Sequence, residues 1–250
     1  DEDGFVKSPD AALRFTLPLL SQGQACCSVH KVRLTPQGSR ALPAGFLRSR
    51  PTLKAFANFL RDGDEGVVTM ERCRMVFSGS GGQGVITAAI ILAEAAVLHE
   101  NLVAVQSQSY GPEARGGATR SDVIIAESPI HFPKVLQPNV LVCLTQQAYA
   151  IYFSILRPGG LFITDSRYVK LGKKVDARQV ELPMYDTVME KIGRPIVFNI
   201  CMLGAVIGLT KLVKPESIIK VLETQIPKSF LDMNRQALDL GMKLTEGLGD

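Results

Sequence analysis

A three-layer α/β/α arrangement, with a mostly parallel sheet and a helical last third, is the fold class this 250-residue sequence predicts. Three observations carry it. Between residues 74 and 182, short apolar runs of strand length alternate with helix-length segments, the pattern of a largely parallel sheet covered on both faces. The first such strand runs into Gly79-Ser80-Gly81-Gly82-Gln83-Gly84 and then into an apolar helix. Beyond residue 184 no strand pattern returns, and the text is helical to the end.

The elements follow in order. Arg74–Ser78 (RMVFS) reads as a buried strand, Gly79–Gly84 as a turn, and Val85–Leu98 as a helix apolar nearly all round, hence covered on most sides. Leu102–Gln106, Ser121–Glu127 and Asn139–Thr145 read as three more strands, the last followed by a helix over Gln146–Leu156. Arg157-Pro158-Gly159-Gly160 is a turn, Leu161–Asp165 a fifth strand and Arg178–Leu182 a sixth. Helices are expected over 184–192, 199–212, 215–226 and 229–245, with Pro215 in a first turn and Lys214 at the preceding helix end. Gly204 and Gly208 fall four apart on one helix face, which permits another backbone to approach closely. With its glycine turn, the arrangement is Rossmann-like.

Composition bounds the function. A chain that is 46% hydrophobic and 21% charged is not disordered, and a scattered net charge of +4 gives no case for nucleic acid. The best candidate for a membrane span, Pro195–Thr210, carries no charge but is short of the roughly 20 apolar residues a bilayer needs, so no membrane segment is expected. Cysteines 26, 27, 73, 143 and 201 form no C-x-x-C pair, which suggests reduced thiols in the cytoplasm and excludes a self-contained iron–sulfur site.

Residues 1–69 differ from the domain over 70–250. Between Ala11 and Arg61 there are eight basic residues and no acid, with Pro and Gly recurring throughout. Met70 stands just before the first strand. The expectation is that Met70 is the natural start and 1–69 a weakly ordered, basic extension arising from start-site choice, with a genuine small extension as the alternative.

The glycine turn has three readings. Glycine admits positive φ and lets backbone N–H groups near a ligand, and the helix N-terminus that follows favours an anion. A dinucleotide site further needs an acid at the end of the second strand. Val103–Ser109 supplies neither that acid nor an arginine in its place. Tight strand–helix packing, and an anionic group of some other cofactor, remain open. A second dense segment, Ser107–Arg120, follows a strand of the parallel set and so falls at the carboxyl edge, where such folds bind ligands. It carries Tyr110, Glu113, Arg115 and Arg120 among Gly111, Gly116 and Gly117, and Arg115 could grip a carboxylate or phosphate or simply be solvated. His30, His99 and His131 lack ligand spacing, and Asp165 reads as a strand-end cap. No catalytic residue of the chain's own is evident.

The runs GSGGQGV at 79–85, QSQSYGPEARGG at 106–117 and SDVII at 121–125 resemble the gamma subunit of 2-oxoacid:ferredoxin oxidoreductases, and most the 2-oxoglutarate chain. The likeness continues through Leu156–Gly160, Gly193-Arg194-Pro195, Asn199 and Gly204, covering about 72–245. The resemblance implies a subunit, inactive alone, of a complex that decarboxylates a 2-oxoacid on thiamine diphosphate with its magnesium, reduces ferredoxin and yields an acyl-CoA. It places the thiamine and iron–sulfur clusters on alpha, beta and delta companion chains. Gly79, Gly81, Gly82 and Gly84, with Gln83 among them, would then form a main-chain cradle near the coenzyme A path. Tyr110, Glu113, Arg115, Gly116 and Gly117 would face the companion chains, and Arg115 or Arg120 would meet the coenzyme A phosphates or order the thiamine-binding neighbour. A stand-alone nucleotide binder and a purely scaffolding subunit are the alternatives.

Overall fold

The computed structural model describes residues 29–30, 72–109, 118–172 and 176–248. Seven strands form one sheet: β1 Val29–His30, β2 Arg72–Ser80, β3 Val103–Ser109, β4 Ala118–Ala126, β5 Val140–Cys143, β6 Gly160–Asp165 and β7 Ala177–Leu182. Their spatial order is β1-β3-β4-β2-β5-β6-β7. β2, β5, β6 and β7 pair in parallel, whereas β4 lies antiparallel between β2 and β3, and β1 antiparallel on the far side of β3. β2, β3, β5, β6 and β7 therefore all point one way. The sheet is mostly parallel in direction, as expected, but its β1–β4 side is an antiparallel ribbon. Apart from β1, the expected extension over 1–69 lies outside the described residues.

Alternation along the strands divides the interior into two cores. Cys73, Met75 and Phe77 of β2 face one side and Val76 the other. The first side is the larger. It receives α1 (Val85–His99), α3 (Met184–Lys191), α4 (Phe198–Thr210), α5 (Pro215–Gln225) and α6 (Lys228–Lys243). α4 is buried around almost its whole circumference, because α6, α1 and α3 pack against it. On the second side, among the described residues, one short helix, α2 (Gln146–Tyr152), packs with a crossing segment that includes Val135 over Val76, Ile124, Leu141 and Phe162. No helix of the described residues is long and apolar enough to cross a membrane.

The small residues foreseen on α4 do what their spacing suggests. A Cβ on Gly204 would strike the Leu238 carbonyl and come within 3.2 Å of the Gly241 Cα, so α4 and α6 touch backbone to backbone. Gly241, on the α6 side of this seam, carries no signal that the sequence reading used. α2 ends earlier than expected, passing into a 3₁₀ turn over Phe153–Ile155. Its start is capped by the Thr145 hydroxyl, which accepts the Ala148 N–H at 3.1 Å.

Candidate functional site

β2 runs on through Gly79 and Ser80, so the turn proper is Gly81–Gly84. Gly82 at φ +89° and Gly84 at φ +71° occupy backbone angles that other residues rarely adopt. Gly82 faces open space, whereas a Cβ on Gly84 would fall 2.6 Å from Asn199 Nδ2. Gln83 folds back on the turn: its Oε1 accepts the Ser80 N–H at 2.8 Å and would meet a Cβ on Gly79. Gln83 therefore shapes the cradle from within, and Asn199, on the first turn of α4, supports it from below. α1 begins at Gly84 with no side-chain cap and no acid in its first turn. A 15-residue helix thus turns an uncapped positive end toward the same edge.

The sheet brings the second motif to this edge. Ser80 pairs with Ala118 and Ser109 pairs with Arg120, so the segment between them leaves and returns beside the glycine turn. Tyr110, Glu113, Arg115, Gly116 and Gly117 themselves lie outside the described residues. Ser78 and Thr119 stitch the flanks: the Ser78 hydroxyl donates to the Thr119 carbonyl at 2.7 Å, and the Thr119 hydroxyl to the Gly79 carbonyl at 3.1 Å.

Arg120 is described, and its guanidinium is engaged. Nε donates to Asp122 Oδ1 at 2.6 Å and Nη2 to Asp122 Oδ2 at 3.1 Å and to the Val135 carbonyl, while the group lies 5.4 Å over the Tyr152 ring. Asp122 in turn accepts the Val135 N–H at 2.9 Å. This pair pins the segment that crosses the thinner face of the sheet.

The same arrangement tells against a dinucleotide. In the first unit of a dinucleotide fold the second strand lies next to the first, and its terminal acid reaches the ribose. Here β4 separates β3 from β2, so β3 ends two strand spacings away, roughly 10 Å. Its polar groups are used internally: Gln106 Nε2 donates to Ser121 Oγ at 2.8 Å, and the Ser107 hydroxyl to the Pro133 carbonyl at 3.0 Å.

Farther along the edge, Asp165 closes β6. Its Oδ1 accepts the Arg167 N–H at 2.9 Å and its Oδ2 the Tyr185 N–H at 2.8 Å, the capping role its position suggested. Tyr168, Tyr185 and Phe198 cluster beside it, with Tyr185 5.2 Å from Tyr168 and 5.6 Å from Phe198 between ring centres. Burial pushes the Asp165 carboxyl above its ordinary 3.8, against the opposing pull of the Tyr185 and Arg167 N–H groups. The folded chain thus holds this proton more tightly than the unfolded one. Its contribution to stability is greatest below pH 3.8 and falls as pH rises through the folded value. Asp165→Asn is expected to flatten the fall of the urea midpoint with pH above 4, and an unchanged slope would exclude Asp165 as its source.

The described residues do not fit a metal or cluster. They contain no group of three or more His, Cys, Asp or Glu side chains that could hold one. Cys73, Cys143 and Cys201 are separately buried thiols, and burial, with a smaller push from Asp165, raises Cys201 to about 12. Such thiols are poor ligands because the thiolate is disfavoured.

A family model for pyruvate ferredoxin/flavodoxin oxidoreductase matches residues 74–244. The chain belongs to this family. It is 45% identical over 173 residues to the 2-oxoglutarate synthase subunit KorC of Methanocaldococcus jannaschii, covering 68% of this chain and 92% of that one. To the pyruvate synthase subunit PorC of Methanothermobacter thermautotrophicus it is 31% identical over 175 residues, covering 69% and 95%. The solved keto/oxoacid ferredoxin oxidoreductase gamma subunit of Geobacter sulfurreducens superposes with a TM-score of 0.65 at 38% identity, over 70% of this chain and 97% of that one. The resemblance read from the motifs thus holds: this is a gamma-type subunit of a 2-oxoacid:ferredoxin oxidoreductase, with the three-layer fold of its relatives.

Proposed function

We propose that the chain is the gamma subunit of a 2-oxoglutarate:ferredoxin oxidoreductase, and that its carboxyl edge positions coenzyme A for acyl transfer. The higher identity to the 2-oxoglutarate subunit than to the pyruvate subunit supports the substrate. The observation that carries the role is the convergence of the glycine turn, the uncapped α1 N-terminus, the end of β3 at Ser109 and the start of β4 at Ala118 on one edge. Thiamine diphosphate, held with magnesium by companion chains, supplies the carbanion chemistry of decarboxylation. Iron–sulfur clusters on companion chains would carry the two electrons released to ferredoxin, so that the net reaction turns 2-oxoglutarate, coenzyme A and oxidised ferredoxin into succinyl-CoA, carbon dioxide and reduced ferredoxin. This chain's amides at Gly81, Gly82, Gly84 and Val85 and the Arg115 guanidinium hold phosphate and orient the thiol, the Gln83 N–H being given to the Ser80 carbonyl. With the Arg120 guanidinium engaged by Asp122 and Val135, the cationic role falls to Arg115.

The test uses the assembled complex. Arg115→Ala is expected to raise the coenzyme A KM about 10- to 100-fold, the loss of one charge-assisted contact of about 1.5–3 kcal/mol, with the 2-oxoglutarate KM unmoved. Unchanged kinetics with unchanged assembly would remove Arg115. A chain that never co-purifies with companions, or that reduces a pyridine nucleotide alone, would end the whole reading.

A further inference from the structure

The opposite, amino edge of the sheet carries a second feature. Arg74 at the start of β2, Lys134 on the crossing segment and Arg157 before β6 line one open cleft of about 840 Å³, with Phe132, Leu136 and Pro158 as its apolar walls. Arg74 shares the face of Val76, the side that α2 and the crossing segment cover among the described residues. No side chain of the three cations has an ion-pair partner among the described residues. No acidic residue lines the cleft among those residues either. Phe132 is 58% exposed and Leu136 73%.

We propose that this cleft seats an acidic segment of a companion chain, one that places carboxylates among Arg74, Lys134 and Arg157 and an apolar side chain between Phe132 and Leu136. Charge is the first argument. Three like charges with no counter-ion among the described residues repel one another in one concavity, and a carboxylate-bearing partner relieves that repulsion while giving orientation and register. Shape is the second. A small ligand is usually enclosed on most of its surface, and walls standing this far into solvent cannot enclose one. Exposed aromatic and aliphatic anchors beside arginines are instead the composition of a protein–protein interface centre. The third argument is the crossing segment itself. The Arg120–Asp122 pair fixes it at Val135, between Lys134 and Leu136, so the cleft is a built surface. The proposal rests on the reading above only in requiring that companion chains exist.

The experiment treats the purified, assembled complex with a zero-length carbodiimide, which joins an amine to a carboxylate in direct contact, and maps the product by mass spectrometry. The expected product is a link from Lys134 to an Asp or Glu of a companion chain, with Lys134 shielded from acetylation in the complex and open in the free chain. The paired variant Lys134→Glu with Arg157→Glu is expected to weaken companion retention at least tenfold at low salt, and less at high salt, with an unchanged melting curve for the free chain. An intact, active complex in which Lys134 stays open to acetylation overturns this proposal alone. A link from Lys134 to Asp62, Asp64 or Glu65 of its own chain overturns it by giving the cleft an occupant in cis. Protection of Lys134 in the free chain by micromolar ATP or coenzyme A overturns it in favour of a nucleotide. Absence of any companion chain overturns the proposed function as well.

Discussion

Replacing Gly241 with alanine is expected to destabilise the chain by about 3 kcal/mol or more, a fall in melting temperature of roughly 6–12 °C for a protein of this size. The sign is the informative part. On helix propensity alone, glycine to alanine inside a helix is favourable by about 1 kcal/mol. At this position a Cβ would run into the Cys201 carbonyl oxygen and lie 2.8 Å from the Ala205 nitrogen and 2.9 Å from the Cys201 carbonyl carbon, all backbone atoms of α4. No rotamer change relieves such a contact, so α4 and α6 must part, and the core between α4 and the sheet loosens with them. Gly172→Ala, at a glycine with open space around it and no positive φ, is the control and should stay within about 0.5 kcal/mol. Thermal unfolding of the two variants decides the matter. A Gly241→Ala chain as stable as the parent would mean the helices are farther apart than described.

Asp122→Ala is expected to be comparably severe, at roughly 3–5 kcal/mol. Asp122 is only 8% exposed at its side chain and Arg120 19%, so removing the carboxylate strands a half-buried guanidinium and deprives the Val135 N–H of its acceptor. Replacing both partners, as Arg120→Met with Asp122→Leu, should cost less than the single change, because no charge is left behind. Urea titration of the single and double variants reads the difference. If the double variant proved the less stable, the pair would be contributing net attraction beyond its desolvation. The single variant should also free the crossing segment around Val135, and with it the walls of the amino-edge cleft.

These effects divide along the line between what was legible in the sequence and what was not. Strand and helix identities were local and readable: the GSGGQGV turn announced the β2–α1 junction, and Gly204 with Gly208 announced a close helix contact. The place of β4 was not. A strand's sequence encodes burial and period, not its neighbour, and SDVII reads the same between any two strands. One clue existed: the eight residues between Ser109 and Ala118 are too few for a parallel crossover, which takes about a dozen or more, and so force antiparallel pairing. Gln83 illustrates the converse. Among glycines it resembled a ligand-facing residue, yet its side chain closes on Ser80, a choice set by a three-residue loop geometry that the letters do not reveal. Asn199, seated under Gly84, comes from a helix more than a hundred residues away in sequence, and no spacing rule could join them. Asp122 was legible in principle. A carboxylate inside a buried strand demands a partner, and Arg120, two residues earlier, lies on the same face of β4.

Among the described residues the two sheet faces are unequally dressed, five helices against one short helix and a strap of chain, and this has a consequence for how a cell would handle the polypeptide. Companion chains seated on that flank, as proposed for the amino-edge cleft, would complete its coat, and a surplus made ahead of them is then expected to be cleared or to clump rather than accumulate.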